Sequence, residues 1–445
     1  MKRLSTILVI LIVVVTLTVG CANILDGYFY LITPHVAPPY EREPVEQISV
    51  SDIDEFKEIL INMVIEHETE AQILYHHFGN EDIGAEVEQV AEQIMRYHPI
   101  GAYAVANITV TATRIVTYFE VDVVIEFSRT IEELEEIITV VAERHLMREL
   151  LDAMGHHTEQ VVFRSTLQLT EEAVAEKVRQ LYYENPSLIV MLPFVTLESF
   201  PEEGNDRIYV IQFGFIYASA MMGRFSGMLS LYIEQNAERI TGDTDPLRLL
   251  SLVRNLIASI EFEEGPARTI SVHGAQNFSA TAYGALVRGR AVGEGFAMAF
   301  KALSDEIGFD NRIVLGYLDG LIHAWNIVYL DGYFYHIDVA MSAVYGLEKA
   351  FLKSDYEFEA MGYEWDRENT VISDGPLSLG DILALEEPDY YEYEYPYDDT
   401  ENAEGNEEVY NEQDNQAPDE PVEEPQNPTY ETPYEEPENE PQEEG

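Results

Sequence analysis

An abrupt change of composition near residue 385 limits how much of this 445-residue chain can fold. Beyond it the sequence consists mainly of Glu, Pro, Tyr, Asn and Gln, with no Lys or Arg. Such a segment cannot bury enough apolar surface to offset the lost chain entropy. We therefore expect residues 385–445 to form a disordered acidic tail. It would act as a solvated spacer or, through its tyrosines, make weak contacts with wall polymer or a basic partner.

The charge of the chain excludes one large class of function. With 82 acidic and 25 basic residues, the formal net charge is −57. Such a charge repels nucleic acid and anionic lipid surfaces, so no nucleic-acid function is expected. The hydrophobic share of 46% nevertheless indicates folded domains with cores of their own.

The first 21 residues have the pattern of an export signal. Lys2 and Arg3 precede an apolar run over residues 4–19, which is short for a membrane span. The run ends in Thr-Val-Gly-Cys, which resembles the lipobox of bacterial lipoproteins, although the threonine departs from the usual leucine. The resemblance implies lipidation of Cys21 and a location on the extracytoplasmic face of the bacterial membrane. An uncleaved anchor and an ordinary cysteine after a signal are the alternatives.

Cys21 is the only cysteine of the chain. An intramolecular disulfide and a thiolate zinc site are therefore both excluded, and an exported protein of this kind must depend on its core. We expect neither a metal nor a cofactor. Any thiol chemistry elsewhere in the chain would need a sulfur that the sequence does not supply.

A proline-containing tether over residues 22–45 leads into a region that repeats itself. His-Glu-Thr-Glu at 67–70 recurs as His-His-Thr-Glu at 156–159, an offset of 89 residues. Each copy has a helical pattern before a strand pattern, a second helical pattern after it, and then period-two strands. We predict two small α/β units at residues 46–140 and 141–240. The histidines lie at predicted helix-to-strand junctions, where loop polarity accounts for them better than a metal site does.

Two patterns in residues 245–384 predict a helix start and a hairpin. Apolar residues recur at helical spacing from Phe296 onward, which puts Gly293 at or just before a helix N-terminus. Further on, two β patterns flank an Asp-Gly pair at 331–332, the strongest short-range hairpin signal. With a two-residue turn, Ala340 lies opposite His323 and Asp338 is a diagonal neighbour on the same face. The register alone therefore predicts a His–Asp pair.

An imidazole that a carboxylate orients can act as the catalytic base for a nucleophile. The nucleophile is best placed at a helix N-terminus, where the helix dipole lowers the pKa of a thiol. The same segment resembles the bacterial branch of the transglutaminase-like, papain-type superfamily. Four ordered motifs carry the resemblance: Thr-Ala-Tyr-Gly-Ala-Leu at 281–286, Gly-Arg-Ala-Val at 289–292, His-Ala-Trp-Asn at 323–326 and Tyr-His-Ile-Asp at 335–338. Residue by residue, His323 matches the family's histidine, Asp338 its aspartate, and Gly293 its nucleophilic cysteine.

The glycine leaves the family's acyl transfer or peptide hydrolysis without an evident covalent route. An extended peptide would still fit such a cleft beside Tyr283 and Trp325, with Glu294 as a further candidate contact. The His–Asp pair also has a purely structural reading, as a satisfied hydrogen bond that holds the hairpin.

We therefore predict an α+β protein with tandem α/β units, a transglutaminase-like domain at 245–384 and an acidic tail. The predicted function is non-catalytic binding of a peptide or cell-envelope polymer by a lipid-anchored surface protein. The alternatives are an active hydrolase or acyltransferase with a non-cysteine mechanism, and a scaffold that acts through the tandem units.

Overall fold

The computed structural model describes residues 48–76, 82–263 and 277–386. Cys21, the predicted signal, the whole tether and the tail beyond residue 386 lie outside the described residues. No helix within the described ranges is long and apolar enough to cross a membrane.

The first sheet has four strands in the order β1-β2-β4-β3, with β1 parallel to β2 and the other pairs antiparallel. Its elements are β1 (Ile48–Val50), α1 (Ile53–Ile65), β2 (Glu70–Tyr75), α2 (Ile83–Tyr97), α3 (Pro99–Ala104), β3 (Val105–Arg114) and β4 (Phe119–Phe127). The side chain of Asp52 caps α1, and the apolar faces of α1 and α2 pack on the sheet. This unit therefore has a core of its own.

The second sheet has the same strand order and the same pairing directions, β5-β6-β8-β7. Its elements are α4 (Ile131–Glu135), β5 (Ile138–Val140), α5 (Glu143–His156), β6 (Gln160–Ser165), α6 (Glu171–Glu184), β7 (Phe194–Phe200) and β8 (Arg207–Gly214). The predicted boundary between residues 140 and 141 is wrong, because β5 pairs with β6 of the second sheet. A three-residue strand is too short to show a period-two pattern.

The histidines of the two units lie at corresponding places, one residue away from the register that the sequence predicts. His67 and His157, not His156, both have positive φ at the end of the helix that precedes the second strand. His67 stacks on Phe127, and His157 makes an edge contact with Phe215. Their offset is 90 residues, the offset that also relates the starts of β2 and β6. Each histidine ends a helix and packs on an aromatic ring.

The third part of the described chain contains a four-stranded antiparallel sheet in the order β13-β12-β11-β14. Its helices before that sheet are α7 (Ser219–Ala237), α8 (Asp245–Ser259), α9 (Ala282–Leu286) and α10 (Gly293–Glu306). Its strands are β9 (Glu261–Phe262), β10 (Arg290–Ala291), β11 (Asn311–Leu318), β12 (Leu321–Leu330), β13 (Tyr333–Ile337) and β14 (Tyr363–Glu364). The later helices are α11 (Val339–Tyr345), α12 (Leu347–Ala350), α13 (Asp355–Ala360) and α14 (Leu379–Glu386).

The second sheet and the third part share one hydrophobic core, which includes residues from Val140 to Ile382. Helix α10 lies inside it, with Phe296, Phe300 and Leu303 fully buried. The core is therefore continuous across the boundary predicted at residues 240–245. Helices packed with mainly antiparallel sheets give the mixed α+β class that the sequence predicts.

Candidate functional site

Helix α10 begins at Gly293, the position that the sequence assigns to a missing nucleophile. Its N-cap is Val292, whose N–H donates to the Ser279 carbonyl at 2.9 Å and whose side chain offers no cap. Strand β10, paired with β9, delivers the chain to this point. The positive end of the α10 dipole thus lies beside an amino acid without a side chain.

The hairpin after α10 has the predicted register. Leu330 pairs with Tyr333 across the turn, and the ladder runs back to Asn326 opposite Ile337. It stops there because Asp338 caps helix α11, accepting from the Met341 N–H at 2.9 Å. The extended register predicts that Ala340 lies opposite His323, but Ala340 lies in helix α11 instead.

The structure brings His323 and Asp338 together. Nε2 of His323 lies 2.6 Å from Oδ2 of Asp338, and the same oxygen accepts the Tyr363 hydroxyl at 2.8 Å. Because its partner is a carboxylate oxygen, Nε2 carries the proton, which leaves Nδ1 as the free nitrogen. Asp338 is buried and the His323 side chain is 10% exposed, so the pair is held rigidly at the edge of solvent. Burial beside the Asp338 carboxylate raises the pKa of Tyr363, which keeps this phenol a hydrogen-bond donor.

The free edge of the His323 ring faces Gly293. A β-carbon added at Gly293 would lie 2.6 Å from Cε1 and 2.8 Å from Nδ1 of His323. Both distances are shorter than van der Waals contact, so the imidazole occupies space that any larger residue needs. A cysteine at this position would require the ring to move.

A cleft of about 630 Å³ opens in front of this pair. Gly293 and His323 line its floor together with Val292 and Tyr363, and further residues of α11 and of the β11–β12 turn form its walls. Its volume falls within the range typical of small-ligand sites. The described residues around it offer no cluster of side chains suited to a metal ion.

A second His–Asp pair lies in the core behind the first. Nε2 of His336 lies 2.9 Å from Oδ1 of Asp355, and Nδ1 of His336 accepts the Trp325 indole N–H at 2.9 Å. Arg367 donates to the other Asp355 oxygen at 3.0 Å. Burial lowers the pKa of His336, which agrees with a neutral ring that must accept at Nδ1.

Glu294, next to Gly293, points away from the cleft. It is 6% exposed, and one oxygen accepts the Tyr183 hydroxyl of α6 at 2.7 Å. Desolvation raises the pKa of Glu294 to about 7. This contact ties the second sheet unit to the first turn of α10.

The three predicted ligand contacts do not line the cleft, so that prediction is wrong. Tyr283 packs against Phe225 and Phe278, Glu294 bonds to Tyr183, and Trp325 is fully buried. All three residues lie in or next to the sequence motifs, but the direction of a side chain in a short helix or a strand depends on tertiary packing. Tyr363, Met341 and Val344 line the cleft instead, and no sequence motif marks them.

No family model and no curated protein sequence matches this chain. Among solved structures, a crystal structure of a transglutaminase (TGase) matches with a TM-score of 0.24 and 12% identity, covering 46% of this chain and 58% of that chain. A candidate cysteine protease from Cytophaga hutchinsonii matches with a TM-score of 0.21 and 13% identity, covering 33% of this chain and 62% of that chain. The chain thus spans less than two thirds of either protein.

Proposed function

We propose that this chain binds a peptide, or a peptide of a cell-envelope polymer, in the cleft in front of His323 and Asp338, without catalysis. The observation that carries the proposal is the position of the His323 ring against Gly293, 2.6 Å from where a β-carbon would be. A base and its orienting acid are present, while the residue at the helix start has nothing with which to attack a carbonyl.

Other side chains of the described region do not replace the missing nucleophile. Within residues 48–76, 82–263 and 277–386, the His323 side chain hydrogen-bonds to Asp338 alone. Ser304 lies about three turns along α10, is fully buried, and donates its hydroxyl to the Lys301 carbonyl at 3.2 Å. Removal of a nucleophile typically leaves only the residual catalysis that binding provides.

A hydrolase that activates water is the competing proposal, and one observation favours it. His323 lines the cleft, where Nδ1 of a neutral imidazole could accept a proton from a bound water. The two proposals share the binding site and differ only in whether bond cleavage follows.

Amine incorporation and peptide hydrolysis, measured on the full chain and on His323→Ala, separate them. We expect no turnover by the full chain, together with retention of peptides from an unrestricted random library. Val344→Asp, at the cleft, should lose that retention, whereas Val116→Asp, 95% exposed in the first sheet unit, should keep it. Turnover by the full chain that disappears in His323→Ala would establish the hydrolase instead.

Gly293→Cys supplies the missing sulfur and extends the test. If only the nucleophile is absent, this variant should gain slow acyl transfer once the ring has shifted, and Gly293→Ala should not.

We also propose that Cys21 is lipidated at the bacterial surface. Palmitate labelling of cells should give a membrane-bound product that Cys21→Ala abolishes.

A further inference from the structure

Polar and apolar surface contribute about equally to the lining of the cleft, and three of its apolar residues are exposed to solvent. Val344 and Tyr345 of α11 are 40% and 68% exposed, and Leu321 at the start of β12 is 48% exposed. Met341 and Met361 line the cleft deeper down. Large apolar side chains left in water around one groove are typical of a ligand site.

The charges around the cleft are mainly acidic. Among the described residues that line it, Glu263 and Asp319 are the acids, and Lys349 is the one Lys or Arg. Glu263 accepts a hydrogen bond from the Ser279 hydroxyl, whereas within the described ranges the Asp319 carboxylate makes no hydrogen bond or ion pair. The chain as a whole carries a formal charge of −57. A field of this sign concentrates cationic ligands near the cleft and repels acidic ones.

We infer that the ligand is a peptide with apolar side chains at the positions that enter the cleft and Lys or Arg beside them. The inference rests on the proposed peptide binding and specifies its ligand. The apolar positions pack against Val344 and Leu321, and a flanking base lies by the carboxylate of Asp319. Lys349 repels such a base, so removal of its charge strengthens binding. Asp319 attracts the base, so removal of its charge weakens binding.

Affinity selection from matched octapeptide libraries, read by mass spectrometry, tests both halves of the inference. One library has a core of Val, Leu, Met and Phe between Lys pairs, a second has the same core between Glu pairs, and a third has a core of Ser, Thr, Asn and Gln between Lys pairs. The bait is the full chain. We expect enrichment from the first library only.

Variants then locate the site for the enriched peptides. Val344→Asp should weaken their binding about tenfold or more, which corresponds to about 1.4 kcal/mol, while Val116→Asp changes nothing. Asp319→Asn should weaken binding about twofold and Lys349→Gln should strengthen it about twofold, and both effects should vanish at high salt. Asp54→Asn and Lys57→Gln, in the first sheet unit, are the matched controls.

Equal enrichment from the Lys-flanked and Glu-flanked libraries would overturn the charge requirement. Equal enrichment from the apolar and polar cores would overturn the apolar requirement. If only the unrestricted library yields ligands that depend on Val344, the inference fails and peptide binding stands. If no library yields any, both fail.

Discussion

Within the described ranges, two His–Asp pairs have their histidines on one hairpin, and they differ in what meets the second ring nitrogen. Behind the cleft, Nδ1 of His336 accepts the Trp325 indole N–H, so each polar atom of that ring has a partner. At the cleft, Nδ1 of His323 lies toward Gly293 and has no hydrogen-bond partner among the described residues. The His336–Asp355 pair is a closed structural network, whereas the His323–Asp338 pair keeps an acceptor without a partner in the described part of the chain.

The difference shows why a His–Asp pair alone does not indicate chemistry. Both aspartates accept from further donors, Tyr363 and Met341 at Asp338, Arg367 and Ser373 at Asp355. The two pairs differ in whether Nδ1 of the histidine has a hydrogen-bond partner. That difference depends on which residue packs against the ring, Gly293 or Trp325.

Removal of each histidine gives the largest contrast. His336→Ala leaves the Trp325 N–H unpaired in the core, removes one donor from Asp355 and opens a cavity, and should cost about 4 kcal/mol of unfolding free energy. His323→Ala leaves Asp338 with two of its donors at the edge of solvent, and should cost about 1 to 2 kcal/mol. Urea unfolding of both variants measures the two losses. Equal losses would show that the cleft histidine is as much a structural element as the buried one.

Glu294 extends the comparison to an acid whose partner is a hydroxyl and not a histidine. Burial raises the pKa of Glu294 from 4.5 to about 7. The folded state therefore holds the proton more tightly than the unfolded chain does, and protonation of Glu294 stabilises the fold. Stability from this group is complete below pH 4.5 and declines as the pH rises toward 7, by roughly 3 kcal/mol in all at 1.36 kcal/mol per pKa unit.

Glu294→Gln keeps an acceptor for Tyr183 without a charge. We expect it to match the parent chain near pH 4 and to exceed its stability by up to roughly 3 kcal/mol above pH 7, measured by urea unfolding across pH. A variant with the parent's pH profile would mean that another group produces the slope.

Two glycines make the smallest and most local test. An added β-carbon at Gly223 of α7 meets nothing within 4 Å, so Gly223→Ala should stabilise the helix by about 0.5 to 1 kcal/mol. Gly293→Ala should show no such gain, because its β-carbon displaces the His323 ring. Thermal unfolding of both variants gives the comparison. An equal gain at the two positions would mean that the ring moves freely.

Much of the candidate site could be predicted because it depends on local rules. The Asp331–Gly332 turn fixes the hairpin register, which brings Asp338 within reach of His323, and helical spacing places Gly293 at the start of α10. These inferences need only strand alternation and helix periodicity.

The lining of the cleft could not be predicted in the same way. Val344 and Tyr345 reach it because Asp338 ends β13 and starts α11, a change of direction that the extended strand register does not foresee. Trp325 belongs to a motif and Glu294 follows Gly293, yet both side chains face inward, Trp325 against His336 of the paired strand and Glu294 against Tyr183 of α6. The hydrophobic pattern could not reveal β5, which has three residues, or the one-residue shift between His156 and His157.

The shared core from Val140 to Ile382 makes the second sheet and the cleft a single cooperative block. The first sheet has a separate core and meets the second sheet through the smaller cluster of Tyr103, Ala104, Ile208 and Val210, so we expect it to lose its structure before that block does. A chain cut near residue 245 would therefore leave neither the second sheet unit nor the cleft-bearing part with a complete core. Exchange of backbone amide protons should divide the described chain after the first sheet, and not at the start of the cleft-bearing part.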